Sequence, residues 1–224
     1  MKKCGKSRLL AGSMWIVGFI IWTILIQTID VQPVGQKGTN IGFATWNIWF
    51  HRLTGVHMML YTITDWLGLV PLAVCMVFGG IGLHQVIKRK SLFKVDADLV
   101  WLGIYYVVVI WGYLLFEMIP VNYRPILIDG RLEASYPSST TLLVLSVMLT
   151  LVFQVRHRLK NVFVCKIVLI VSVLFTMFMV MGRLICGVHW FTDIVGAAMI
   201  STGLFCIYKG VALRCWVKER VSLN

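Results

Sequence analysis

Charged side chains are scarce in this chain of 224 residues, of which Asp, Glu, Lys and Arg together make up only 13%. Soluble globular proteins carry about 25% charged and about 45–50% apolar residues, whereas 59% of this chain is hydrophobic. So little charge cannot cover the surface of a soluble fold of this size. The composition therefore predicts an all-α, polytopic membrane protein, because lipid is the solvent that accepts the excess apolar surface.

Acidic residues are scarcer still, with 9 Asp and Glu against 21 Lys and Arg and a formal net charge of +12. Nucleic-acid binding is one explanation for a basic chain, but here the basic residues stand between apolar runs and not on one polar face. Basic loops of membrane proteins set orientation and face anionic lipid headgroups. We therefore expect the bilayer, and not nucleic acid, to be the partner.

Cysteine pairs and metal-ligand motifs are also missing. None of the six cysteines forms a CxxC pair, and most lie in apolar runs, so they predict neither a disulfide framework nor a zinc site. No His, Cys and Glu residues stand at metal-ligand spacing. We expect a protein with no metal and no cofactor, in which Cys186 alone stands near residues of functional interest.

Long apolar runs are what the chain has, and they predict a bundle of six transmembrane helices in a single membrane domain, 1–224. The predicted spans are residues 9–29, 66–87, 99–119, 138–155, 162–181 and 190–208. The first is too long for the apolar core of a signal peptide and has no small-residue cleavage site, so we expect it to be uncleaved. Trp46, Trp49 and Phe50 indicate a short interfacial helix within the loop 30–54. We expect residues 55–65 either to lie at the interface or to pack under this loop.

The basic residues give the predicted spans an orientation. Of the 21 Lys and Arg, sixteen fall at the chain ends and in the alternate loops that share one side, and five fall on the other side. By the positive-inside rule, both termini of this multi-pass protein are predicted to be cytoplasmic, in the cell membrane. The unusual polar residues then gather on the extracytoplasmic side, and ionisable groups at a membrane boundary are candidates for function.

One group of these polar residues joins spans five and six. His189 and Asp193 stand four residues apart at a helix start and share one face. The carboxylate can hydrogen-bond one imidazole nitrogen and leave the other nitrogen nucleophilic. Arg183, six residues before the histidine, can clamp a phosphate through two hydrogen bonds. The alternative is an interfacial His–Asp pair that only satisfies itself.

A second group opens span four. Pro137 followed by Ser138, Ser139 and Thr140 is a helix-start pattern, and a helix N-terminus favours an anion, although simple capping explains the same residues. Arg124 nearby adds a fixed cation, and Arg131 is either a second cation or an interfacial anchor. Taken together, the two groups predict a phosphate site with a nucleophile.

These residues resemble the type-2 phosphatidic-acid phosphatase superfamily of membrane lipid phosphatases, whose motifs are KxxxxxxRP, PSGH and SRxxxxxHxxxD. The corresponding segments are EMIPVNYRP at 117–125, PSST at 137–140 and GRLICGVHWFTD at 182–193. Their order and spacing match, and the resemblance covers about 99–207, which we expect to be the catalytic core.

The resemblance implies a mechanism and a phosphorylated lipid as substrate. His189 would attack phosphorus to form a phosphohistidine, Asp193 would orient it, and water would then release phosphate. The phosphoryl oxygens would be held by Arg124, Arg183, Ser138 and Ser139.

Three positions depart from the family pattern: Glu117 replaces the Lys, Gly182 replaces a Ser, and Thr140 replaces the proton-donating His. A Thr hydroxyl is far too weak an acid, and general-acid help is worth about 10²–10⁴ in rate. That loss matters least when the leaving group is itself a phosphate, so we expect a lipid diphosphate, such as a polyprenyl diphosphate, over a phosphate monoester.

Other groups could supply the missing acid. Glu117 would serve if burial kept it protonated, or it would pair with Arg124 in a structural salt bridge. His51 or His57 could provide a proton from the first loop. Two alternative functions also stay open: a phosphotransferase that uses a sugar or lipid acceptor, and a non-catalytic lipid-phosphate binder or transporter, which the three substitutions favour.

Overall fold

The computed structural model describes the backbone of residues 2–222 and the side chains of residues 5–216. Eight α-helices occupy most of this part of the chain, and its only β-type pairings are isolated bridges. The helices are α1 (Lys2–Thr28), α2 (Ala44–Thr54), α3 (Met58–Leu67), α4 (Leu69–Arg89), α5 (Ala97–Met118), α6 (Ser139–Arg158), α7 (Val162–Ile185) and α8 (Phe191–Ser222). The predicted all-α class is confirmed.

Six helical segments in the described part are long and apolar enough to cross a membrane, as the apolar runs predicted. They are Gly5–Thr28, Met58–Arg89, Ala97–Met118, Ser139–Arg158, Val162–Ile185 and Phe191–Trp216. The chain is therefore a multi-pass membrane protein. The predicted interfacial helix is α2, on which Trp46 and Trp49 are exposed.

The start of the second span differs from the prediction. Residues 58–67 form α3, which continues into α4 with a break only at Gly68. The 32 residues of this segment extend over about 48 Å. Asp65, which suggested a boundary, lies within the helix, and its carboxylate is 3.6 Å from the Arg183 guanidinium of α7.

The last helix is also longer than predicted, because α8 continues past residue 208 to Ser222. Basic residues from Lys209 onward end the apolar part of this helix, but they do not end the helix. Small residues let α1 and α8 approach closely: a Cβ added at Gly12 would lie 2.9 Å from the carbonyl oxygen of Gly203.

Helix α6 lies at the centre of the bundle, where it packs against α4, α5, α7 and α8. At its C-terminal end, Arg158 forms ion pairs with Asp98 (2.7 Å) and Asp96 (3.1 Å), which stand at the start of α5. These contacts join two helices at the end of the bundle that carries the basic loops.

The opposite end of the bundle carries the irregular segments. Between α5 and α6 the chain folds back on itself, so that the backbone NH of Arg124 donates to Glu133 O (3.1 Å). The next turn contains a cis peptide bond between Tyr136 and Pro137. Helix α2 is tied to the start of α8, because Asn47 Nδ2 donates to Thr192 Oγ1 (3.0 Å).

Candidate active site

His189 lies in the short loop between α7 and α8, and it is buried with an exposed fraction of 3%. Its Nδ1 is 3.2 Å from the backbone carbonyl oxygen of Ser135 and 3.2 Å from the hydroxyl of the same residue. A carbonyl oxygen only accepts hydrogen bonds, so Nδ1 carries the proton. The other ring nitrogen, Nε2, has no hydrogen-bond partner among the described residues.

Asp193 lies behind this imidazole in the first turn of α8. Its Oδ2 accepts hydrogen bonds from the Trp190 backbone NH (2.8 Å) and from the Ser135 hydroxyl. The distance from Oδ2 to His189 Nδ1 is 3.7 Å, which is too long for a hydrogen bond. The predicted direct bond between histidine and carboxylate is therefore wrong, because the Ser135 hydroxyl stands between them.

The electrostatic surroundings keep His189 uncharged. Burial lowers the pKa of His189 well below its usual value, and the positive charges of Arg124 and Arg183 lower it further. A neutral imidazole with its proton on Nδ1 has a free electron pair on Nε2. The arrangement is therefore that of a nitrogen nucleophile.

A polar cavity of about 240 Å³ adjoins the histidine. Its polar and ionisable lining residues include Glu117, Arg124, Glu133, Ser135, Ser139 and His189. Arg124 is buried, and its Nε lies 3.2 Å from the Glu133 carboxylate. Its Nη1 has no partner in the described part of the chain, so a guanidinium donor remains for an anion in the cavity.

Arg183 lies deeper than predicted. Its Nη1 is 3.4 Å from Thr64 Oγ1 on α3, and its guanidinium stacks over the Tyr61 ring at 4.8 Å. Arg124 approaches the same ring at 5.8 Å. Arg183 therefore lies behind Tyr61. It adds positive charge to the site, but its guanidinium contacts α3 and does not line the polar cavity.

The start of α6 divides its three hydroxyl residues among different environments. Ser139 lines the polar cavity. Ser138 is buried, and its hydroxyl donates to Thr141 Oγ1 (3.1 Å). Thr140 lines a separate apolar groove. Of these three side chains, only that of Ser139 is therefore arranged to contact a phosphate. The backbone NH of Ser138 donates to Asp193 O (3.3 Å) and so connects the start of α6 to the start of α8.

Neither explanation for Glu117 fits the structure. Its side chain is exposed at the cavity and lacks the burial that the proton-donor explanation requires. The ion-pair partner of Arg124 is Glu133, so the predicted salt bridge between Glu117 and Arg124 is wrong.

The two histidines of the first loop are engaged elsewhere. His51 Nε2 donates to Gly187 O (3.1 Å), and His57 Nε2 donates to Thr54 O (2.8 Å). Cys186 is buried, burial raises the pKa of its thiol, and its Sγ donates to Arg183 O at 3.3 Å. These contacts are structural and hold the segments around the site together. The described residues contain no group of three or more His, Cys, Asp or Glu that could hold a metal ion.

An apolar groove of about 440 Å³ lies between α4, α5 and α6 beside the polar cavity. Its apolar lining includes Leu69, Leu72, Val109, Ile110, Leu142 and Leu143. Tyr113 and Ser139 line both spaces. The groove and the cavity are therefore adjacent and share a wall.

Three residues of the site carried no recognisable signal in the sequence. Ser135 and Glu133 stand in an irregular loop, and Tyr61 stands on a helix remote in sequence. Their positions in a turn or on an apolar helix are ordinary, and only the folded chain brings them to His189 and Arg124.

Comparisons with known proteins bear on the family and the fold. The sequence model of the PAP2 superfamily matches residues 69–216, a range that begins in α4 and extends beyond the core expected at about 99–207. A search of curated proteins found no significant match. Among solved structures, a similar fold is the crystal structure of the first transmembrane PAP2 type phosphatidylglycerolphosphate phosphatase from Bacillus subtilis, with a TM-score of 0.62 and 15% identity over 91% of this chain and 95% of that chain. The chain belongs to the PAP2 superfamily and has the fold of its membrane phosphatases.

Proposed function

We propose that this protein is an integral-membrane lipid phosphatase that works through a phosphohistidine on His189, with a lipid diphosphate such as a polyprenyl diphosphate as the favoured substrate. The observation that carries the proposal is the buried imidazole beside the polar cavity, with Nδ1 held by Ser135 and with no described partner at Nε2.

In the first step, the electron pair on Nε2 attacks phosphorus as the bond from phosphorus to the leaving oxygen breaks. The leaving group departs with the electron pair of the broken P–O bond, and the ring becomes a positively charged phosphohistidine. Arg124 Nη1 and the Ser139 hydroxyl bind the phosphoryl oxygens, assisted by the positive end of the α6 dipole. Arg183 contributes its charge from behind Tyr61.

In the second step, water attacks the phosphohistidine, the nitrogen–phosphorus bond breaks, and dihydrogen phosphate leaves. The electron pair returns to Nε2, so the neutral imidazole is restored. Asp193 favours the positively charged intermediate from the opposite side of the ring. Charge and protons balance over the two steps without any other reactant.

The apolar groove supports a lipid as the substrate. A chain lying among Leu72, Leu142 and Leu143 would bring its phosphate to Tyr113 and Ser139, where the groove meets the cavity. Substrate would then enter sideways from the bilayer, which suits a molecule that does not leave the membrane.

The preference for a diphosphate rests on the proton donor. Thr140, at the position of the family's proton-donating His, lines the apolar groove, and Glu117 is exposed. We therefore assign neither residue a proton-transfer role. A phosphate leaving group departs readily without protonation, whereas an alkoxide does not.

The charge distribution supports an extracytoplasmic site with cytoplasmic termini. Lys88 and Arg89 end α4, and Arg156 and Arg158 end α6. His189 and the start of α6 lie at the opposite end of the bundle. By the positive-inside rule, the site then faces away from the cytoplasm.

The experiment is a phosphate-release assay on purified protein with phosphatidic acid, phosphatidylglycerol phosphate and a polyprenyl diphosphate, run beside His189→Ala. We expect the diphosphate to react fastest, the variant to be inactive, and radiolabelled substrate to leave an acid-labile, base-stable phosphoprotein only in the parent. Faster cleavage of phosphatidic acid overturns the diphosphate preference. Activity retained by His189→Ala overturns the mechanism, and transfer to an added acceptor in place of release identifies a phosphotransferase.

A further inference from the structure

Ser135 makes more contacts with the His–Asp pair than any motif residue does. Its carbonyl and hydroxyl oxygens both lie 3.2 Å from His189 Nδ1, and its hydroxyl also bonds Asp193 Oδ2. The direct distance between the histidine and the carboxylate is 3.7 Å. The serine hydroxyl is therefore the hydrogen-bonded link between the two.

The direction of each hydrogen bond follows from the groups involved. Asp193 Oδ2 accepts from the Trp190 NH (2.8 Å) and from the Ser135 hydroxyl. The Ser135 hydroxyl therefore gives its only hydrogen to Oδ2, and its oxygen accepts from Nδ1–H. The chain of donors runs from His189 through Ser135 to Asp193.

The position of Ser135 is set by the fold around it. Its backbone NH donates to Asn122 O (2.9 Å). The next residue, Tyr136, stacks on Phe19 of α1, and a Cβ added at Gly196 of α8 would lie 2.4 Å from the Tyr136 ring. The serine is thus held between two helices that are far apart in sequence from its own loop.

We propose that Ser135 is a positioning residue of the nucleophile: its carbonyl keeps the proton on Nδ1, and its hydroxyl transmits the influence of Asp193 to the imidazole. This inference rests on the proposed phosphohistidine mechanism. Asp193 has no other hydrogen-bonded connection to the ring in the described part of the chain, and its Oδ1 has no partner there.

The two oxygens of Ser135 have separable roles. Ser135→Ala retains the carbonyl, so the tautomer is unchanged. The hydroxyl that it removes is bonded to His189 and Asp193, so we expect the binding of substrate to be unchanged. It removes the hydroxyl, so the carboxylate no longer favours the positively charged imidazole of the intermediate. The loss therefore appears in kcat and not in KM.

The experiment compares Ser135→Ala, Ser135→Thr, Asp193→Ala and the double variant of residues 135 and 193, on the best substrate of the parent. We expect kcat of Ser135→Ala to fall by about 10–100-fold, as for outer partners of metal-binding histidines, with KM within about threefold. Ser135→Thr, which keeps a hydroxyl, recovers most of the activity. Because the serine acts through the carboxylate, the double variant is no slower than Asp193→Ala alone.

Ser146→Ala is the matched control. Ser146 is a fully buried serine of α6 whose hydroxyl has no partner among the described residues, and it stands seven residues beyond Ser139, about 10 Å along the helix. We expect its kcat to stay within about twofold of the parent.

The outcomes separate this inference from the proposed function. Parent protein without phosphatase activity, or active His189→Ala, overturns both. An active parent in which Ser135→Ala retains full kcat, or in which the losses at 135 and 193 multiply, overturns the positioning role alone. If Ser135→Ala does not purify as a monodisperse protein, Ser135→Cys replaces it, because the thiol is a weak donor of similar size, and the same expectations apply.

Discussion

Gly182 of α7 packs directly against Thr64 of α3, so that a Cβ at position 182 would lie 2.7 Å from Thr64 Cγ2. The PAP2 motif has a serine at this position, and this chain has no room for one. The Thr64 hydroxyl in turn lies 3.4 Å from Arg183 Nη1. The glycine therefore allows the close crossing of two helices that buries this arginine.

Gly182→Ser should accordingly damage the protein although it restores the family residue. The added side chain would overlap Thr64 Cγ2, and overpacking of this kind costs about 1–3 kcal/mol. We expect a lower Tm in detergent and a loss of activity, since the crossing of α3 and α7 holds Arg183 in place.

The double variant Gly182→Ser with Thr64→Ala tests this explanation, because it removes the methyl group that the serine would meet. We expect it to recover most of the Tm lost by Gly182→Ser, as contacting residues do not behave additively. A double variant that is less stable than Gly182→Ser would show that the overlap is not the cause.

Thr140 should be dispensable for chemistry even though it occupies the position of the family's proton donor. Its side chain lines the apolar groove, while that of Ser139 lines the polar cavity. We expect Thr140→Ala to keep kcat/KM for a polyprenyl diphosphate within about threefold, and Ser139→Ala to lower it by about tenfold, the value of one lost hydrogen bond to the transferred group. The two variants are a matched pair at adjacent positions, and the reverse order of effects would contradict the assignment.

The apolar groove predicts a defect that depends on the length of the lipid chain. Leu72→Trp adds bulk to the lining of the groove, so it should raise KM for a long-chain diphosphate severalfold and leave a water-soluble short-chain diphosphate unaffected.

The matched control for the groove is Leu83→Trp on the same helix. Leu83 lines a different apolar space, between α4 and α5 beside Leu92 and Phe93, so KM should not change for either substrate. An equal change in KM for both substrates in Leu72→Trp would indicate a general distortion of α4 and would remove the groove as the lipid site.

The part of the site that the sequence predicts is the part set by spacing along one helix or one turn. Six apolar runs predict six spans because a bilayer requires about 20 apolar residues for each helix. The spacing of His189 and Asp193 places the first just before α8 and the second in its first turn. The Arg124-Pro125 pair places a guanidinium at the same end of the bundle. These features depend on local geometry.

The remaining features depend on contacts between distant segments. Ser135 meets a histidine 54 residues away, and Arg183 meets Thr64 across 119 residues. A hydroxyl at a helix start can point towards a cavity or towards its own helix, as Ser139 and Ser138 do. The spacing of residues along the chain does not determine these side-chain orientations. For this reason the predicted direct bond between His189 and Asp193 and the predicted pairing of Glu117 with Arg124 were wrong.

The buried neutral histidine makes the protein sensitive to acid. Burial, with the charges of Arg124 and Arg183, lowers the pKa of His189 in the folded state, whereas the unfolded chain has the usual value of about 6.5. Below that pH the unfolded state binds a proton that the folded state does not. The free energy of unfolding therefore falls as the pH falls, by up to about 1.4 kcal/mol per pH unit, and this contribution is fully present only above the unfolded value.

We expect the Tm of the parent in detergent to fall more steeply than that of His189→Gln when the pH is lowered from about 7 to about 5. The other four histidines and all carboxylates are present in both proteins, so their titrations cancel in the difference between the two curves. Thermal unfolding followed by tryptophan fluorescence at each pH measures it. Parallel curves for the two proteins would mean that His189 takes up its proton at the same pH in the folded and the unfolded chain, so that burial and the two arginines do not lower its pKa.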